Sequence, residues 1–134
     1  MSVSLVIVSH SARLAEGVAE LAGQMAHGKV AIAAAGGAVD GSLGTSMDKV
    51  IAALEQVDGP DGTLVLLDLG SAAMVTEMAI EAFVAQHRVM ISPAPLVEGA
   101  VIAAVEASIG NSLTEVAEAA EAAYTLPKLR EKSA

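Results

Sequence analysis

The chain has 134 residues, a length suited to one domain, and its formal charge of −9 at pH 7 repels the phosphate backbones of nucleic acids. One Phe, one Tyr and no Trp leave almost nothing to stack on bases, so the core must be built from Ala, Val, Leu, Ile and Met. The absence of cysteine excludes disulfides, thiol catalysis and thiolate metal sites, and fits a reducing cytoplasm.

The first apolar run, 3–8 (VSLVIV), reads as a strand; it lacks a basic flank and is too short for a signal peptide or a membrane span. Residues 12–28 place Leu14, Val18, Leu21 and Met25 on one face at steps of four and three, which predicts a helix ending near Gly28. A second strand is expected at 30–35, a glycine-rich loop at 36–46 and a helix at 47–57, closed by the turn sequence DGPDG at 58–62. Residues 63–69 (TLVLLDL) form the clearest strand, followed by a helix at 71–86 and a strand at 88–92. Helices are expected at 96–110 and 112–124, the first too broken by Glu98 and Glu106 to span a membrane. One domain over 1–124 is thus expected, with a charged tail, 125–134, that contains Pro127 and frays.

Strands alternating with helices imply parallel pairing by right-handed crossovers. Runs apolar at every position suit strands covered on both faces. The expected fold is therefore α/β: an open, doubly wound, mainly parallel sheet of order 2-1-3-4 with helices on both faces. Ligands of such sheets bind beyond the strand C-termini where the order reverses, here between strands 1 and 3. Ser9-His10 ends the one strand and Asp68-Leu69-Gly70-Ser71 the other. A neutral imidazole is a nucleophile near physiological pH, and a carboxylate on one ring nitrogen leaves the other nitrogen's lone pair free. Covalent phosphorylation of His10, assisted by Asp68, is one reading. Ser11, Thr45 and Ser71 would add hydroxyl donors, and the helix starts after Ser11 and Gly70 would favour an anion. The other reading of the same residues is structural, since a lone His at a strand end rarely catalyses and Asp is a common helix cap.

Other features carry less chemistry. Gly36 and Gly41 have the spacing of a phosphate-binding loop, but Ser42 stands where its lysine belongs, so a turn or a wall of the site is the better reading. His27 and His87 follow helix ends, where a partial positive charge is favourable, and the three histidines have no metal-ligand spacing. No metal or other cofactor is expected.

Four motifs in order, LVIVSHSARLAEGV, GG followed by DGSLGTS, DLGSAAM and APLVEGAVIAAV, resemble the phosphotransfer subunits of phosphoenolpyruvate-dependent dihydroxyacetone kinases over about residues 3–123. These are related to the mannose-family IIA domains of the sugar phosphotransferase system. The resemblance implies that His10, in VSHS, carries the phosphoryl group. It implies HPr as donor, itself charged through Enzyme I, and ADP on the kinase's nucleotide-binding subunit as acceptor. It also implies a homodimer in the cytoplasm, with no membrane or nucleic-acid partner. The HPr-like and Enzyme I-like domains that some members carry in the same chain are expected to be separate proteins here. Mannose-type domains tend to have HG at the histidine and a GGSP-like motif after strand 3. Here His10-Ser11 and Gly70-Ser71-Ala72 favour the kinase branch. A IIA component feeding a sugar permease is the alternative with the same histidine, and a non-catalytic anion-binding module is a third. The apolar circumference of helix 96–109 (Leu96, Val97, Val101, Ile102, Val105, Ile109) suits a subunit interface, or burial under the helix that follows.

Overall fold

A computed structural model describes residues 2–83 and 87–129. Four strands, β1 (Ser4–Ser9), β2 (Ile32–Gly36), β3 (Thr63–Leu67) and β4 (Val89–Ser92), form one parallel sheet in the order β2-β1-β3-β4. The expected architecture and strand order are those of the structure. The helices α1 (Ala12–Met25), α2 (Met47–Val57), α3 (Ala72–Ala82), α4 (Leu96–Ser108) and α5 (Leu113–Glu121) cover it, and a short 3-10 turn, Ala122–Thr125, follows α5.

The two faces are separate cores. Leu5 and Ile7 of β1 and Leu64 and Leu66 of β3 point into the layer of α1, α4 and α5. Val6, Val8 and Val65 point the other way, against Val50, Ala53 and Leu54 of α2 and Ala72 and Ala79 of α3. Period-two alternation thus feeds both layers, which is why the strands are apolar throughout. Burying each of these aliphatic side chains contributes about 1.5–3 kcal/mol.

Several boundaries move. β2 starts and ends later than expected, β3 ends at Leu67 rather than 69, and α5 stops at Glu121 with the 3-10 turn completing the segment. α3 ends at Ala82, and the rest of its expected span, 84–86, lies outside the described residues. α1 ends at Met25 because the chain turns through positive φ at His27 (56°) and Gly28 (70°). Its large apolar side chains do not mark its buried face. Only Val18 of the four is buried; Ala15, Ala22 and Ala26 take the other inner positions, while Leu14, Leu21 and Met25 are exposed. Small residues let α1 lie close to the sheet, so the larger side chains are displaced to its flank. Gly36 marks that close approach: a Cβ there would lie 2.5 Å from the Ser11 carbonyl oxygen. In the described part of the tail, which was expected to fray over 125–134, Lys128 pairs with Glu98 at the surface; residues 130–134 lie outside the described residues.

Candidate active site

His10 and Asp68 meet at the C-terminal edge of the sheet, where the order reverses between β1 and β3. The β1–β3 register continues one step past the strands: the Asp68 N–H donates to the Val8 carbonyl at 3.1 Å, which sets the carboxylate beneath the β1–α1 turn. His10 Nδ1 lies 3.1 Å from Asp68 Oδ1 and 3.3 Å from Oδ2. The same carboxylate accepts the His10 backbone N–H at 2.9 Å, the Ser9 hydroxyl at 2.9 Å and the Leu69 N–H at 2.7 Å.

Burial of Asp68 works against its charge, but these bonds, led by the His10 backbone N–H and followed by the His10 ring, Ser9 and Leu69, outweigh it. They hold the carboxyl below the usual aspartate range. An ionised carboxylate can only accept, so Nδ1 must carry the ring proton. In the neutral ring Nε2 then holds the lone pair, and it faces the Ser71 hydroxyl at 3.1 Å. The His10 side chain is 29% exposed and Asp68 10%, so the ring is reachable and its partner is not.

The serines at two helix starts behave differently. Ser11 caps α1, accepting the Leu14 N–H at 3.2 Å. Ser71 stands at the same place before α3 but makes no cap bond, and its hydroxyl is turned to His10. Gly70 precedes it; its N–H finds no acceptor among the described residues and sits at the positive end of α3. Thr45 makes no hydrogen bond to His10. It lines a neighbouring depression with Asp40, Ser42 and Ser46, although the Gly44 N–H beside it donates to the His10 carbonyl at 2.8 Å. That contact makes the glycine-rich loop a wall of the site. Within it Asp40 accepts the Ser42 N–H and hydroxyl, a local turn.

Ser9 was not among the expected site residues. It is wholly buried, bridging the Ser11 N–H (3.0 Å) and Asp68. Its one signal in the sequence is a hydroxyl ending an otherwise apolar buried strand. On the far side of Asp68 a cavity of about 640 Å³ opens between Leu69, Gly70, Ile91, Leu96 and Tyr124. His87 pairs with Asp58 at 3.3 Å, and His27 lies in the turn after α1. Among the described residues no three His, Cys, Asp or Glu side chains stand close enough to hold a metal ion, and no helix is long and apolar enough to cross a membrane.

Known proteins share this arrangement of sequence and fold. The family described as "PTS system fructose IIA component" (EIIA-man) matches residues 4–117. The phosphoryl donor subunit DhaM of the PEP-dependent dihydroxyacetone kinase of Escherichia coli K12 is 44% identical over 119 residues, 85% of this chain and 25% of that protein. The phosphotransferase subunit DhaM of the PTS-dependent dihydroxyacetone kinase of Lactococcus lactis is 34% identical over 121 residues, 90% of this chain and 95% of that one. The chain thus spans about a quarter of the first of these and nearly all of the second. A crystal structure of a protein of unknown function superposes with a TM-score of 0.79 at 30% identity, covering 98% of this chain and 100% of the other. The mannose/sorbose-specific IIA subunit of Enterococcus faecalis shares the fold, with a TM-score of 0.58 at 23% identity over 100% of this chain and 98% of its own. The chain belongs to the EIIA-man family of phosphotransferase-system IIA components, together with the DhaM subunits of dihydroxyacetone kinases.

Proposed function

We propose that this chain is a phosphohistidine carrier: His10 accepts a phosphoryl group from the phosphohistidine of HPr and passes it to ADP bound on the nucleotide-binding subunit of dihydroxyacetone kinase. One observation carries the reading. His10 Nδ1 is tied to Asp68, while Nε2 stands at the edge of the sheet beside a hydroxyl that caps nothing. The DhaM relatives support the choice of acceptor, and the Lactococcus relative, spanned over 95% of its length, supports assigning the role to this segment.

The geometry favours Nε2 as the attacking atom. Its lone pair forms the N–P bond as the donor's P–N bond breaks and that electron pair returns to the donor imidazole. The His10 ring becomes cationic, and the Asp68 carboxylate, already on Nδ1–H, stabilises it as a triad aspartate does. Ser71 must release Nε2 for attack, and its hydroxyl is then free to donate to a phosphoryl oxygen, with the N-terminus of α3 favouring the same charge. In discharge a β-phosphate oxygen of ADP forms the new P–O bond, the N–P bond breaks, and the pair returns to Nε2. The protein's part is positioning and charge stabilisation.

Exposed apolar side chains close to the groups that touch His10 (Val39 and Leu43 in the loop, Leu69, and Met74 one turn into α3) suit protein partners that dock in turn. Other exposed apolar side chains, Leu14, Leu21 and Met25 of α1, Val97 and Val105 of α4 and Ile109 just after it, suit a homodimer. The relay works in the cytoplasm on this reading.

Intact mass after incubation with phosphoenolpyruvate, Enzyme I and HPr tests the carrier. One acid-labile phosphoryl adduct on wild type, absent from His10→Ala, is expected, and it should discharge when the ADP-loaded kinase subunit is added. No adduct with competent donors rejects the carrier. An adduct that only permease components discharge assigns the chain to sugar transport instead.

A further inference from the structure

We propose that Ser9 is a positioning residue for this chemistry, acting through Asp68 to hold His10 in the Nδ1–H tautomer. The proposal deepens the carrier reading and rests on it for its kinetic consequence alone. Ser9 is the last residue of β1 and is wholly buried. Its hydroxyl proton goes to Asp68 Oδ2 at 2.9 Å, and its oxygen accepts the Ser11 N–H at 3.0 Å. Its carbonyl accepts the Gly37 N–H at 3.1 Å, so the backbone is held independently of the side chain.

The consequence lies in how the carboxylate is fixed. Oδ2 is held by two donors from the β1 end, the Ser9 hydroxyl and the His10 N–H, and Oδ1 by the Leu69 N–H. These set the plane of the carboxylate, and Nδ1–H then meets both oxygens at 3.1 and 3.3 Å. Without the Ser9 hydroxyl, Oδ2 keeps one of those two donors and the Ser11 N–H loses its acceptor. The carboxylate gains freedom to turn, and its grip on Nδ1–H loosens. The imidazole then populates the other tautomer, whose Nε2 is protonated and cannot attack.

A merely structural serine would lower stability and leave the ring unaffected. The test therefore uses ¹⁵N chemical shifts of the His10 ring nitrogens, which report the tautomer whether or not any partner acts on the chain. Loading kinetics with HPr as donor and a thermal melt accompany them, for Ser9→Ala and Ser9→Thr. Ser9→Ala is expected to shift the His10 tautomer toward Nε2–H and to lower the loading kcat about tenfold, the scale of one lost hydrogen bond, with KM for HPr unchanged. Ser9→Thr, which keeps the hydroxyl, is expected to restore both. A Ser9→Ala protein that is less stable yet keeps the wild-type tautomer overturns the proposal. So does a folded Ser9→Thr that behaves like Ser9→Ala. If wild type never loads, the carrier reading fails, and the ¹⁵N shifts still decide whether Ser9 sets the tautomer.

Discussion

The molecule holds two imidazole–carboxylate pairs at opposite ends of one sheet. His10–Asp68 spans 3.1 Å and His87–Asp58 3.3 Å, and the two rings are almost equally exposed, at 29% and 33%. Contact and accessibility therefore do not separate them. The surroundings do. Asp68 accepts three further hydrogen bonds besides the ring, whereas Asp58 accepts only the His87 ring from a side chain or backbone among the described residues. His10 Nε2 faces Ser71; His87 has no such hydroxyl among the described residues. In a parallel sheet the covering helices run against the strands, so their N-termini gather at the strand C-terminal edge. Ser11, Ser46 and Ser71 precede α1, α2 and α3 there, while Asp58 closes the C-terminus of α2. An anion would meet positive helix ends at His10 and a negative one at His87. A histidine beside an aspartate is thus common chemistry, and the fold's polarity decides which pair can use it.

The largest effect should come from the rings. His10→Gln is expected to abolish the phosphoryl adduct and His87→Gln to leave it intact, read by intact mass under the same donors. An adduct that survives in His10→Gln and vanishes in His87→Gln would invert the comparison. The carboxylates come next. In Asp68→Asn the amide can turn its NH₂ toward Nδ1, which places the ring proton on Nε2, the wrong tautomer. A drop of about 10³- to 10⁴-fold in loading rate is expected, on the scale of that error in a catalytic triad. Asp58→Asn should stay within about twofold. The hydroxyls follow. Ser71→Ala should slow loading about 10- to 100-fold, the worth of a hydrogen bond to a charged group, at unchanged melting temperature, since Ser71 caps no helix. Ser11→Ala should do the reverse, costing about 1 kcal/mol of stability for the lost cap with the smaller effect on rate.

The pairing of His10 with Asp68 was legible because both residues end apolar strands whose order follows from the alternating elements. Which ring nitrogen faces the carboxylate was not, since that depends on where the side chain of Asp68 comes to lie after β3 has ended. Ser9 stayed hidden for a similar reason: its hydroxyl matters only because the β1–α1 turn brings the Ser11 N–H back over it. Thr45 looked equivalent to Ser71, a hydroxyl in a motif loop, but the loop touches His10 through the backbone of Gly44 instead. The inner face of α1 was not legible, for a physical reason. Periodicity weights large apolar side chains, whereas a helix packed close to a sheet selects alanine, so Leu14, Leu21 and Met25 mark a flank.

The smallest predicted effect concerns acid. Asp68 has a folded pKa below the ordinary aspartate value of 3.8. Between those two values the unfolded chain binds the proton and the folded chain does not, so stability falls as pH falls. The contribution of Asp68 is complete above the ordinary value, shrinks below it, and is gone once pH passes the folded value. The difference in unfolding free energy between wild type and Asp68→Asn, followed by denaturant titration, should accordingly be flat from neutral pH down to about 5 and decline below the ordinary value. A difference that instead grew on acidification would mean that the folded protein prefers the protonated carboxyl. Nδ1 would then no longer be obliged to carry the ring proton, and the feature that sets His10 apart from His87 would have to be sought in Ser71 and the α3 N-terminus alone.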